Sequence, residues 1–153
     1  MILYHGSNIS IERIDLTRSR PYKDFGRAFY LSAEKEQAEA MARFKTMIEG
    51  GSPTITAFQF EGTNELKTLR FEEYTVEWAE FVYNNRDERQ NFAHPYDVVY
   101  GPIANDTVGV QIRDLRERKI SLDTFLDNLK YRRGITFQYA FCTDLAISKL
   151  TRL

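Results

Sequence analysis

The chain has 153 residues, 42% of them hydrophobic and 28% charged, with 21 Lys plus Arg against 22 Asp plus Glu and a formal net charge of -1. This is a globular composition at the length of one domain, residues 1–153, able to bury a sizeable core. The near-zero charge argues against a generic polybasic nucleic-acid binder, no apolar run approaches the ~20 residues of a membrane span, and the one cysteine, Cys142, excludes an intrachain disulfide or a multi-cysteine zinc site.

The chain opens on a short apolar run, Ile2–Tyr4, that ends at His5-Gly6 and lacks the basic and apolar regions of a signal peptide, so a cytoplasmic location is expected. Residues 5–24 have no sustained period and read as loop. Ala28–Leu31 reads as a buried strand, and Ser32 as the N-cap of a helix that carries Ala38, Met41, Ala42 and Ile48 and stops at Gly50-Gly51. Thr54–Phe60 alternates as a strand, Leu66–Phe71 as a weaker one, and Thr75 caps a helix through Asn84. Tyr96–Tyr100 is a buried strand closed by Gly101-Pro102. Helices are predicted over Asp106–Arg116 and Ser121–Tyr131, a strand over Ile135–Phe141 and a terminal helix over Asp144–Leu150. Strands and helices interleave irregularly, which predicts an α+β fold.

Three segments stand out as carriers of chemistry. His5 follows a strand and precedes Gly6-Ser7, a geometry in which a ligand can approach backbone. In Asp24-Phe25-Gly26-Arg27-Ala28-Phe29-Tyr30-Leu31-Ser32 a glycine turn feeds a strand whose rings Phe29 and Tyr30 point to opposite faces, so that one packs while the other offers a stacking surface. On the last long strand Phe137, Tyr139 and Phe141 share one face and Gln138 shares the other with Ala140, which sets Gln138 either in solvent or in a pocket. Taken singly, each feature is more common as plain structure: a turn histidine, a packed ring pair, a solvent-facing amide. His94, before Pro95, reads as structural. There is no Walker loop, Rossmann glycine fingerprint, His-Glu-x-x-His or Gly-x-Ser-x-Gly.

In combination and in order, Tyr4-His5-Gly6-Ser7, Phe25-Gly26-Arg27-Ala28-Phe29-Tyr30-Leu31-Ser32 and Gln138 resemble the His-Tyr-Glu branch of the ADP-ribosyltransferase superfamily, which includes diphtheria toxin and the poly(ADP-ribose) polymerases. With Lys23-Asp24-Phe25-Gly26, Asn84-Asn85-Arg86, Tyr96-Asp97-Val98-Val99 and Gly101-Pro102-Ile103-Ala104-Asn105-Asp106 added, most of the chain is similar to the small bacterial family DUF3990.

The resemblance implies two packed, twisted β-sheets with flanking helices around a central NAD cleft. NAD would be a co-substrate, no metal would take part, and His5, Tyr30 and Gln138 would be the catalytic set. His5 would bond the adenosine ribose, Gly6 the nicotinamide amide, and Tyr30 would stack on the nicotinamide ring. Ser7, Ser32 and Arg27 join the NAD-binding set, and Asn105 or Asp106 the rim facing an acceptor. The alternative for Asp106 is an N-cap. Gln138 replaces the usual Glu and brings no charge, so a carboxylate would come from Asp106, Asp97 or the substrate. Gln138→Glu is then expected to raise NAD hydrolysis if charge is limiting. Met41 or Phe44 falls where related enzymes carry a second ring.

Residues 1–30 hold five basic side chains against three acidic ones, a surplus suited to a diphosphate. The implied activity is transfer of a single ADP-ribose to a macromolecular acceptor, protein favoured over nucleic acid, by a toxin-like or defence protein with a small antitoxin-like partner. The alternative is a non-catalytic NAD or ADP-ribose binding module. Removal of a 2′-phosphate from RNA is disfavoured by the modest basic content.

Overall fold

In a computed structural model, residues 1–130 and 134–153 are described, apart from the side chains of residues 106 and 130. The described chain is α+β, with two sheets and five α-helices. Strands β1 (Ile2–Ser7), β3 (Thr54–Phe60) and β7 (Leu150–Arg152) form an antiparallel sheet in the order β1-β3-β7. Strands β2 (Phe29–Leu31), β4 (Thr68–Arg70), β5 (Val98–Pro102) and β6 (Phe137–Phe141) form a second sheet in the order β2-β6-β5-β4, with β4 and β5 parallel. The helices are α1 (Lys35–Glu49), α2 (Val76–Arg86), α3 (Asp106–Arg116), α4 (Leu122–Lys130) and α5 (Asp144–Ile147). No described helix is long and apolar enough to cross a membrane.

The period-2 alternation of the strands decides which side chains go where. Leu3, Phe58, Phe29, Leu31, Val98, Tyr139 and Phe141 close one core, to which both sheets contribute. The opposite face of the second sheet supplies Ala28, Val99 and Ala140 to another core, with Trp78, Val82, Val108, Ile112 and Phe125 from α2, α3 and α4. Phe29 and Tyr30 therefore serve different cores, and Gln138 lies on the helix-covered face with Ala140.

Several boundaries differ from expectation for local reasons. β1 runs on through His5-Gly6-Ser7, because these residues continue the ladder as far as Ser7 opposite Thr54. The first helix is capped at Glu34, without a side-chain bond; Ser32 instead pairs its backbone with Tyr4 and accepts at Oγ from Glu34 N–H. Gly101 and Pro102 do not close β5 but belong to it, opposite Gln138 and Phe137. The cap of α3 is Asn105, which accepts from Val108 N–H, rather than Asp106. The terminal helix stops at Ile147, and Leu150 begins β7 on the edge of β3. Thr75 caps α2 as expected. Tyr131, the expected end of the fourth helix, lies outside the described residues.

Candidate functional site

Besides sharing a core, the two sheets are joined backbone to backbone at an isolated bridge. There Tyr4 and Ser32 exchange both backbone hydrogen bonds, at 2.7 and 2.8 Å. Continued antiparallel, Gly6 would pair with Tyr30. It does not, because the Tyr30 carbonyl accepts instead from His5 Nδ1–H at 2.7 Å. Tyr4 directs its backbone polar groups away from β3, so two residues on Gly6 does the same. Its N–H and C=O face the gap where β1 and β2 part.

The absent side chain of Gly6 has a separate cause. A Cβ there would lie 1.8 Å from the Ala38 carbonyl oxygen and 2.9 Å from the Ala42 nitrogen. Gly6, Ala38 and Ala42 are small so that α1 can lie directly on β1. The gap is thereby walled by β1, β2 and α1, and closed by the loop of residues 22–24.

The resulting cavity is about 580 Å³, within the usual size of a ligand pocket. His5, Gly6, Tyr30, Ser32 and Gln138 all line it. So do Lys23, Asp24, Lys45 and Arg86, three cations against one carboxylate. Met41 also lines it, whereas Phe44 is exposed and does not.

His5 is held by stacking on Phe29, with ring centroids 4.2 Å apart. A carbonyl only accepts, so the bond to Tyr30 places the proton on Nδ1 and leaves Nε2 a bare acceptor. Burial, opposed by that bond and reinforced by Lys45 and Lys23, lowers the His5 pKa to about 4, so the ring is neutral at neutral pH. Tyr30 spends its hydroxyl internally, donating to Gly26 O at 2.7 Å and accepting from Phe25 N–H at 3.0 Å. Burial raises its pKa well above the ordinary phenol value. The Tyr30 ring has Lys23 Nζ 5.2 Å from its centroid. Burial lowers the Lys23 pKa, with Lys45 and Arg20 adding to it. Neither Lys23 nor Lys45 has an ion-pair partner among the described residues.

The loop before β2 is tied down from several sides. His94 Nδ1 accepts from Tyr96 N–H, so Nε2–H donates to Phe25 O at 2.9 Å, a structural role. Gly26, at φ 86°, lies against Asn85, whose Oδ1 is 3.0 Å from where a Cβ would stand. Tyr30→Phe removes both hydroxyl bonds across this loop and strands Phe25 N–H. Thermal or urea unfolding should show a loss of about 1–3 kcal/mol; an unchanged midpoint would mean that the loop is held without them.

Other expected site residues lie elsewhere. Arg27 donates to the carbonyls of Thr17 and Ser19, at 3.2 and 2.5 Å, and is not in the cavity wall. Ser7 is buried and also outside the wall, and Asn105 is the exposed α3 cap. The Asp106 side chain lies outside the described residues. Asp97 accepts from Lys67 N–H and from the Thr143 hydroxyl, bonds that lower its pKa, and it is not in the wall.

The carboxylate in the wall is Asp24, to which sequence reasoning assigned no role. Its Oδ1 pairs with Arg86, whose Nε lies at 2.7 Å, and its Oδ2 accepts from Ala104 N–H at 3.2 Å and from Gln138 Nε2 at 3.3 Å. Arg86 also donates to Ala104 O at 3.2 Å. The available signal was the pair of segments Lys23-Asp24-Phe25-Gly26 and Asn84-Asn85-Arg86, which contain the opposite charges of Asp24 and Arg86. Nothing in their spacing says that they meet.

A family model described as a protein of unknown function (DUF3990) matches residues 1–151. No curated protein matches the chain.

Proposed function

The chain belongs to the DUF3990 family, and on that premise we propose that it is an NAD-dependent mono-ADP-ribosyltransferase with its active site between β1 and β2. The observation that carries the reading is the parting of those strands beyond the Tyr4–Ser32 bridge, which leaves a backbone N–H and C=O of Gly6 facing a cavity. A donor and an acceptor on one residue match a carboxamide, and nicotinamide carries one. The His5 Nε2 acceptor suits a ribose hydroxyl. A ring face that attracts the Lys23 ammonium also attracts a pyridinium, and a displaced Lys23 joins Lys45 as counter-charge for a diphosphate.

In the reaction the bond from ribose C1′ to the nicotinamide nitrogen breaks. Both bonding electrons leave with nicotinamide, which becomes neutral. The acceptor atom, or water, bonds to C1′ and releases its proton. Gln138 offers a hydrogen bond to the ribose hydroxyl, but an amide is no base. A polymerase must activate a hydroxyl of an attached ADP-ribose and needs such a base. One ADP-ribose per site is therefore expected, or slow NAD hydrolysis when no acceptor is present.

The test is incubation of the chain with labelled NAD and cell lysate, followed by separate protease and nuclease digestion and mass spectrometry. Label that resists nuclease but not protease, with one ADP-ribose per modified residue, is expected. A ladder of additions would refute the single-transfer reading. The amide at Gln138 favours a second reading, a module that binds NAD or ADP-ribose without turnover; calorimetric binding without nicotinamide release would select it.

A further inference from the structure

Gln138 lacks the charge that its position calls for, yet the fold brings a carboxylate to it. We propose that Asp24 is the positioning carboxylate of this site: it acts through Gln138, fixing and polarising the amide so that Gln138 Oε1 faces the ribose of a bound NAD as a charged acceptor would. The inference rests on the NAD-cleavage reading above.

The geometry is specific. A carboxylate accepts and never donates, so the Gln138 group facing Asp24 Oδ2 is the NH2 group. The amide is thereby turned, and Oε1 has no protein partner among the described residues. It is not a buried orphan either, so it is open to the cavity that Gln138 lines. A carboxylate drawing on the NH2 group adds negative character to the oxygen at the other end of the amide.

Asp24 is built into place. Its side chain is 12% exposed and takes bonds from residues 62, 80 and 114 positions away in the chain. Arg86 uses Oδ1, which leaves Oδ2 to Gln138 and Ala104. Arg86 itself fits because α3 has a glycine beside it: a Cβ on Gly109 would lie 2.7 Å from Arg86 Nη1. A mid-helix glycine costs about 1 kcal/mol relative to alanine, and here it makes room for the arginine that holds Asp24. Asp97, a carboxylate considered for this role, bonds Lys67 and Thr143 instead.

The chemistry needs such a group. As the C1′–nitrogen bond breaks, positive charge builds on ribose C1′ and its ring oxygen while nicotinamide leaves with the electron pair. Gln138 Oε1 accepts from the ribose 2′-hydroxyl and opposes that charge. The nucleophile's proton passes to solvent. Losing one preorganised electrostatic stabiliser typically costs 10²–10³ in kcat.

The experiment compares the full chain with Asp24→Asn, Gln138→Glu and the double variant. It measures nicotinamide release for kcat and KM, calorimetric ADP-ribose binding, and melting temperature. Asp24→Asn should lose about 100-fold in kcat with KM moving by less than about threefold. Gln138→Glu should fall below wild type, because it sets two carboxylates within hydrogen-bond distance. The double variant exchanges acid and amide and should recover at least about tenfold over Asp24→Asn. A folded Asp24→Asn with wild-type kcat, or a folded double variant no better than either single one, would overturn the inference while leaving the NAD reading intact. Should Asp24→Asn fail to fold, Gln138→Glu decides alone, and a kcat above wild type sinks the idea. A wild-type chain that releases no nicotinamide, whether or not it binds NAD, refutes the NAD-cleavage reading and this inference with it.

Discussion

Gly6→Ala should cost the protein about 3 kcal/mol and destroy the cavity. The backbone at residue 6 is ordinary strand, so the penalty is not conformational. It is the placement of a Cβ 1.8 Å from Ala38 O, less than the distance of any hydrogen bond. A flexible side chain would swing away, but the obstacle is the helix backbone. α1 must lift off β1, or β1 must bend out of its ladder with β3. Overpacking a tight interior typically costs 1–3 kcal/mol, and a clash with backbone on both elements belongs at the upper end. For a chain of this length the melting point should fall by about 6–12 °C. Gly50→Ala separates strain from clash: it sits at φ 80° and ψ -166° with nothing within 4 Å of its Cβ position, so it should lose about 1–3 kcal/mol through backbone strain alone and leave the cavity intact. If Gly6→Ala melts within 2 °C of wild type, the close approach of α1 to β1 is wrong. The consequence for ligand follows from the same movement, since Gln37, Ala38, Met41 and Lys45 of α1 line the cavity. Binding of NAD or ADP-ribose should weaken at least tenfold even below the melting transition.

The same glycine shows what the sequence makes legible and what it hides. A glycine after a short apolar run reads as a turn, and β1 was expected to end at Tyr4. Only the third dimension shows that Gly6 is there for a helix more than 30 residues later. By contrast, the alternation of residues 137–141 placed Gln138 and Ala140 on one face and the three rings on the other, because period 2 is a local property. The α+β class was legible for the same reason. β7 was missed because three residues on a sheet edge, Leu150–Arg152, carry almost no pattern, and their strand character comes from pairing with β3. Asp24 and Arg86 were visible as charges but not as partners. An ion pair across 62 residues leaves no spacing to read. The resemblance puts Arg27 in the NAD-binding set, while the carbonyls of Thr17 and Ser19 that its guanidinium bonds belong to a loop whose path no local rule fixes.

His5 should make the protein lose stability between pH 6.5 and pH 4. In the unfolded chain the imidazole protonates near 6.5; in the folded chain it does so only near 4, because burial penalises the charged ring and Lys45 and Lys23 add repulsion. Through that interval the unfolded state binds the extra proton. The stability contributed by the neutral ring is therefore complete above 6.5, falls as the pH is lowered, and is exhausted near 4. The interval corresponds to on the order of 3 kcal/mol. The carboxylates Asp15, Asp87, Asp97 and Glu117, whose pKa values are lowered by hydrogen bonds, also lose stability in acid. Their unfolded values lie near 4, so their losses fall mainly below pH 5. Between 6.5 and 5 the slope is chiefly that of His5. His5→Gln isolates it, since a glutamine NH2 group can still donate to the Tyr30 carbonyl but does not titrate. It loses the stacking on Phe29, which lowers the whole curve without tilting it. Urea unfolding at pH 7.5, 6.5, 5.5 and 5.0 should show the wild type falling towards the variant as the pH drops. Parallel curves would mean that His5 protonates freely in the folded protein, and that its Nε2 is not the bare acceptor on which the ribose contact depends. With a neutral ring maintained, wild-type affinity for ADP-ribose should stay level from pH 7.5 to 5.5, where an ordinary histidine would already have changed charge.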